Sequence, residues 1–118
     1  MKRLLILLLA LSALPLVMSA QDDFYLRKAQ GYQREAEYYQ KKAEGHRREA
    51  EYYLKKAENY QREAAYYTRK GDLDRAKSYS RYAENAMDDY AAQLRYAENA
   101  DEKAAMYLRW AAEALEKA

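Results

Sequence analysis

The sequence predicts an all-α protein, a long antiparallel helical hairpin with an alanine-rich coiled-coil interface. Three observations support this prediction. A fourteen-residue unit, GYQREAEYYQKKAE at 31–44, returns in related form at 45–58 and 59–72. Alanine and tyrosine each recur every seven residues through the first part of the chain. A single short break, RKGDLD, separates two helical patterns of nearly equal length.

The N-terminus has the layout of a secretory signal peptide, which we expect to be cleaved from residues 1–20. Positive charge at 2–3 precedes a mostly apolar run at 4–16, and small residues at 19–20 offer a cleavage site. The run is shorter than the roughly 20 apolar residues of a membrane-spanning helix. We therefore expect a periplasmic or secreted protein that meets the membrane only through its signal, with residues 21–118 as one helical domain.

Composition excludes several classes of site and partner. The chain has no cysteine, so disulfides and thiolate metal sites are impossible. Without Lys2 and Arg3 the chain carries 19 basic and 19 acidic residues, a balance that argues against a nucleic-acid partner. Residues 22–70 hold 12 basic and 9 acidic residues, a net of +3, and residues 72–118 hold 7 and 10, a net of −3. Opposite charges suit the two halves as neighbours.

The repeats predict one helix over 22–70. Seven residues are nearly two helical turns, so each heptad row stays on one helix face. One row consists of Ala29, Ala36, Ala43, Ala50, Ala57 and Ala64. A second row, three positions later, consists of Tyr32, Tyr39, His46, Tyr53, Tyr60 and Tyr67. The interface therefore alternates small and large side chains, and acid-first pairs four residues apart, such as Glu51 and Lys55, support the helix.

The residues at 71–72 predict a turn between two helices. Gly71 suits the left-handed position after a helix, and Asp72 suits the N-cap of the next helix, which we expect over 73–117. Small and aromatic residues recur around the turn at Ala64, Tyr67, Gly71, Ala76 and Ala83. In this spacing the segment 64–83 resembles a tetratricopeptide hairpin, and it departs from that family at Ser80, where an aromatic residue is usual. The resemblance implies a helix–turn–helix at this point.

Folding at the turn predicts a register in which residue i meets residue 143 − i. Ala29 then lies near Ala114, and Tyr32 faces Ala111. Every pair across the interface contains at least one small residue, so the two backbones can approach closely. The agreement between the two helices supports the hairpin.

The second helix has more apolar surface than one partner helix covers. A leucine flank lies on one side of its alanine row, formed by Leu73, Met87, Leu94, Leu108 and Leu115. A tyrosine flank lies on the other side, formed by Tyr82, Tyr96 and Trp110. Exposed apolar strips of this kind mark interfaces. We expect a homodimer that forms a four-helix bundle, with another protein partner or an uncovered hairpin as alternatives.

The paired tyrosines place one ring of each pair outside the interface. These outward residues are Tyr38, Tyr52 and Tyr66, once every four turns or about 21 Å. Together with the tyrosine flank they are the candidate binding residues. Their rings could pack in a surface between helices while their hydroxyl groups stay hydrated. The alternatives are stacking on sugars, radical cross-linking or electron hopping.

Catalytic and cofactor motifs are missing from the sequence. It has no phosphate-binding loop, no Ser-His-Asp set and no nucleophile elbow, so we expect no enzyme and no cofactor. The heptads, export and size resemble small exported metal-binding proteins whose heptads are rich in histidine, but this chain has only His46, a weak metal candidate. We predict an exported structural or protein-interaction module; the alternative is a low-specificity binder of metal ions or small ligands.

Overall fold

Residues 20–118 are described by a computed structural model as two α-helices joined by a two-residue turn. Helix α1 spans Ala20–Lys70 and helix α2 spans Leu73–Lys117. The helices pack as a hairpin, which confirms the predicted all-α fold. Helix α2 has its expected bounds, whereas α1 begins at Ala20, two residues earlier than predicted. The predicted signal peptide lies, apart from this residue, outside the described part of the chain.

The turn between the helices is closed by backbone hydrogen bonds. The N–H of Gly71 donates to the Thr68 carbonyl at 3.1 Å, and the N–H of Asp72 donates to the Tyr67 carbonyl at 3.0 Å. This pair of bonds is a Schellman motif, and it needs the left-handed conformation that Gly71 adopts with φ of 79°. The Asp72 carboxylate then accepts from the N–H of Arg75 at 3.1 Å, which caps α2.

The buried core consists of alanines and one leucine. Its members are Ala29, Ala36, Ala43, Ala50, Ala57, Ala64, Ala76, Ala83, Ala86, Ala97, Ala100, Ala104, Leu108, Ala111 and Ala114. No polar or charged side chain is buried among the described residues. Because an alanine buries only one methyl group, the core places helix backbones close together but contributes little burial per residue. The larger apolar side chains therefore lie at the edges of the interface.

The described chain divides into two compact regions, each made of a stretch of α1 packed against an antiparallel stretch of α2. The distal region comprises residues 20–41 and 100–118, and the turn region comprises residues 42–99. In the distal region Ala29 lies in one buried cluster with Ala111 and Ala114, and Tyr32 packs against it. The register predicted for this region is thus confirmed.

The leucine flank is covered in the distal region and open in the turn region. Leu108 is only 4% exposed, and Leu115 packs against the Ala29 cluster. The expectation that both lie uncovered was wrong, since alanines hold the backbones so close that a flanking leucine can also reach the interface. In the turn region the expectation was right: Leu73, Met87 and Leu94 are exposed.

Charged side chains lie on the outside of the helices. Acid-first pairs four residues apart form on α1, with 4.0 Å between Glu44 and Arg48 and 3.2 Å between Glu51 and Lys55, and Asp23 also pairs with Arg27. Exposed pairs of this kind contribute at most a few tenths of a kcal/mol each. Within residues 20–118 neither helix combines the length and apolar character needed to cross a bilayer.

Candidate functional site

All six aromatic residues predicted as binding residues are exposed. Their exposed fractions lie between 37% and 57%. They belong to two sets. Tyr38, Tyr52 and Tyr66 are on α1 and point away from α2, as expected from their heptad position. Tyr82, Tyr96 and Trp110, the tyrosine flank, are on α2 and contact α1 with one side of the ring, so they are only partly available to a ligand.

Each outward tyrosine of α1 stands edge-on to its neighbour in sequence. The centroids of Tyr52 and Tyr53 are 5.3 Å apart with planes at 69°, and those of Tyr66 and Tyr67 are 5.1 Å apart at 80°. A lysine four residues later lies over two of these rings: Lys56 Nζ is 5.8 Å from the Tyr52 centroid, and Lys70 Nζ is 5.5 Å from the Tyr66 centroid. Such cation–π contacts at exposed sites contribute about 0.5–1 kcal/mol.

The same arrangement begins earlier in α1 than the tyrosine pairs suggested. Phe24 stands edge-on to Tyr25 at 5.3 Å, and Lys28 Nζ lies 5.9 Å from the Phe24 centroid. Phe24 precedes Tyr38 by fourteen residues, so the repeat spacing could have identified it. It was missed because the expected motif was a pair of tyrosines.

An aromatic set joins the two helices in the distal region. Tyr39 stacks on Tyr107 with centroids 5.8 Å apart and planes at 9°. Tyr32 contacts both Tyr107, at 6.2 Å, and Trp110, at 5.7 Å. The interface tyrosines were expected to face alanines of α2, but their rings contact aromatic rings of α2 instead. Offset-stacked and edge-on pairs contribute about 0.5–1.5 kcal/mol beyond burial.

The turn region repeats this set. Tyr67 stacks on Tyr79 with centroids 5.5 Å apart and planes at 7°. Tyr60 contacts Tyr79 at 6.1 Å and Tyr82 at 5.5 Å. The α1 members lie two repeat units later in the sequence than those of the distal set, and the α2 members lie two repeat units earlier. The two sets are therefore copies of one aromatic arrangement.

A polar version of the set also lies in the turn region. His46 stands where the other sets have Tyr32 or Tyr60, and Gln93 stands fourteen residues from both Tyr79 and Tyr107. The His46 Nδ1 and Gln93 Oε1 atoms are 2.8 Å apart, a hydrogen-bond distance. The His46 ring also lies 5.4 Å from Tyr96.

His46 is therefore held by an amide and a ring at the edge of the interface. Among residues 20–118 the structure contains no group of three His, Cys, Asp or Glu side chains arranged to hold a metal ion. Metal binding by His46, the weaker alternative from the sequence, stays untested.

The tyrosine flank borders an open groove in each region. The distal groove has a volume of about 300 Å³, and the one in the turn region about 140 Å³. Six positions of their linings correspond, with the same offset of two repeat units as the aromatic sets. The corresponding pairs are Lys28 and Lys56, Tyr32 and Tyr60, Trp110 and Tyr82, Glu113 and Asn85, Ala114 and Ala86, and Lys117 and Asp89.

A third groove lies beside the leucine flank of the turn region. Its volume is about 440 Å³. Small side chains, Met87 and two acidic residues line it. The lining consists of Gln61, Ala64, Ser80, Ala83, Glu84, Met87 and Asp88. It is an open surface depression next to exposed apolar side chains.

Three residues of the candidate site were not identified from the sequence. Tyr79, Gln93 and Tyr107 complete the three sets, and each follows the previous one by fourteen residues. This spacing was a usable signal. It was overlooked because the residue at 93 is not aromatic, which hides the period.

Comparisons of this chain with protein-family models, curated proteins and solved structures give no match.

Proposed function

We propose that this chain is an exported, non-enzymatic interaction module and that its partner is a second copy of itself. The observation that carries the proposal is the open leucine flank of the turn region. There Leu73 is 69% exposed, Met87 36% and Leu94 40%. Met87 and Leu94 lie seven residues apart on one face of α2, and exposed apolar side chains in such a row mark interfaces.

The shape of the surface suits a second copy. Met87 lines the groove together with the small residues Ala64, Ser80 and Ala83. In a two-fold symmetric dimer both copies offer the same surface, so Met87 of each copy can enter the groove between α1 and α2 of the other. A methionine adapts to such a depression because its side chain is unbranched and flexible.

The charges also favour contact between α1 of one copy and α2 of the other. The groove edge carries Glu84 and Asp88, both on α2. The segment that contains α2, residues 72–118, has a net charge of −3, and residues 22–70 of α1 have +3. A second copy that lays its α1 over this α2 would bring opposite charges together. Such complementarity mainly sets orientation and the rate of association.

Sedimentation equilibrium on the purified protein tests self-association. We expect a dimer at tens of micromolar and a monomer when the leucine flank is changed by Met87→Glu and Leu94→Glu together, because buried unpaired carboxylates oppose association. Tyr52→Glu is the matched control: it places the same charge at an exposed aromatic position on α1 and should leave the dimer intact.

Two results would contradict the proposal. A wild-type chain that stays monomeric at high micromolar concentration would exclude a second copy as the partner. A dimer that survives the double substitution but is lost in Tyr52→Glu would show that the outward tyrosines, and not the leucine flank, form the interface. Circular dichroism must show that each variant keeps its helix content.

The export part of the proposal comes from the apolar N-terminal segment. A positive start, an apolar run and small residues at 19–20 are typical of a cleaved secretory signal. The expected product begins at Ala20 or Gln21, and its intact mass after recovery from outside the cytoplasm would locate the cleavage. Recovery of the full-length chain only would contradict it.

A further inference from the structure

The two grooves beside the tyrosine flank share a frame but differ in charge. Each has a lysine and a tyrosine from α1, an aromatic ring from α2 and an alanine floor. The distal groove adds Tyr25 and carries Lys117 where the other groove has Asp89. Its charged side chains are two lysines and Glu113, and those of the other groove are one lysine and one aspartate. The distal groove alone therefore has a net positive charge.

Each of the two ammonium groups of the distal groove lies over an aromatic ring. Lys28 Nζ lies 5.9 Å from the Phe24 centroid, and Lys117 Nζ lies 5.9 Å from the Tyr25 centroid. Among the described residues, neither group takes part in an ion pair. Both can therefore form a charge-assisted hydrogen bond to an anion without first breaking an ion pair.

The ring geometry favours a ligand with an apolar face of limited size. Tyr32 and Trp110 are 5.7 Å apart with planes at 57°, which makes an angled wall and not a parallel slot. A flat ring system cannot lie against both faces at once, whereas the C–H faces of a chair-shaped sugar can contact both. The groove volume of about 300 Å³ is large enough for a monosaccharide unit.

Glu113 separates two kinds of anionic ligand. Its exposed carboxylate only accepts hydrogen bonds, so a ligand in contact with it binds better when it offers a donor. A sugar hydroxyl supplies that donor, and an aromatic carboxylate has none. We propose that the distal groove binds an acidic saccharide: its C–H face packs on Trp110 and Tyr32, its carboxylate lies between Lys28 and Lys117, and a hydroxyl donates to Glu113.

This site is independent of the proposed dimer, because it lies on the tyrosine flank and the dimer would use the leucine flank. Trp110 is the single tryptophan of the chain, so its fluorescence reports on this groove alone. We would titrate the purified protein at low salt with trigalacturonate, with galactotriose as a neutral saccharide of the same size, and with benzoate as an aromatic carboxylate.

We expect a saturable change in Trp110 emission with trigalacturonate, and at least tenfold weaker responses to galactotriose and benzoate. Lys117→Asp copies the charge of the turn-region groove and should weaken trigalacturonate binding at least tenfold. Lys117→Gln should weaken it less. Asp89→Lys changes the other groove and is the matched control, expected to shift the Trp110 response less than twofold.

The outcomes are decisive in either direction. No saturable response to trigalacturonate, or an equal response to galactotriose, would overturn the proposal. A stronger response to benzoate would replace it with an aromatic-acid site, and an unchanged affinity in both Lys117 variants would remove the assigned role of that residue. Because Lys117 is exposed in the last turn of α2, both variants should keep the helix content, which circular dichroism checks.

Discussion

The distal and turn regions are built from the same repeat, yet they bury different parts of it. Leu108 in the distal region is buried, whereas Leu94, fourteen residues earlier in the turn region, is exposed. Both are leucines at the same repeat position on α2. The difference shows that a heptad position sets which direction a side chain points, while coverage depends on the local neighbours on the other helix.

Substitution of these two leucines is the strongest test of that comparison. Leu108→Ala should lower the free energy of unfolding by about 2–3 kcal/mol, because it removes the largest buried side chain and leaves a cavity. Leu94→Ala should lower it by about 1 kcal/mol or less, since Leu94 is already 40% exposed and loses less burial than Leu108. Urea unfolding at protein concentrations below self-association measures both. Equal losses would mean that the two regions are equally packed.

A second test compares glycines that differ in backbone conformation. Gly71→Ala should destabilise the turn region by about 1 kcal/mol, because alanine resists the left-handed conformation with φ of 79° found there. Gly45→Ala, in the helical part of the same region, should stabilise by about 1 kcal/mol, since nothing lies within 4 Å of the added methyl group.

Gly31 provides the matched position in the distal region. It too has nothing within 4 Å of an added methyl group, so Gly31→Ala should give the same gain as Gly45→Ala. Thermal unfolding followed by circular dichroism measures all three variants. A gain at one helical glycine and a loss at the other would reveal a constraint that differs between the regions.

The smallest expected effect concerns the polar set of the turn region. Changing His46→Tyr and Gln93→Tyr together should recreate the aromatic set seen around Tyr32 and Tyr60, and the pair should show a favourable coupling of about 0.5–1 kcal/mol. Each single change breaks the His46–Gln93 hydrogen bond and gains less. A double-mutant cycle measures the coupling, and a value near zero would mean that the aromatic sets do not stabilise the hairpin.

Most of the fold could be predicted from the sequence because its signals are local. Alanine every seven residues fixes the interface of α1, and Gly71 followed by Asp72 fixes the end of one helix and the start of the next. The register followed from folding the chain at that point. These features depend on backbone geometry, which the period of a sequence repeat indicates directly.

The cross-helix contacts could not be predicted to the same detail because they depend on side-chain reach. A single fold line pairs each residue with one partner, but Tyr60 contacts both Tyr79 and Tyr82, one helical turn apart. A tyrosine ring extends well beyond its own Cα position and so reaches residues beside the expected one. For the same reason, the sequence did not predict that Leu108 is buried.

The opposite offsets of the aromatic sets also restrict how the hairpin can change in length. Moving from the distal set to that of the turn region advances two repeat units along α1 and retreats two repeat units along α2. An insertion in only one arm would slide every later ring past its counterpart. Growth or shortening that keeps the stacks intact must therefore come in simultaneous fourteen-residue steps, one in each arm, and a gene that lengthens such a hairpin needs two coordinated duplications.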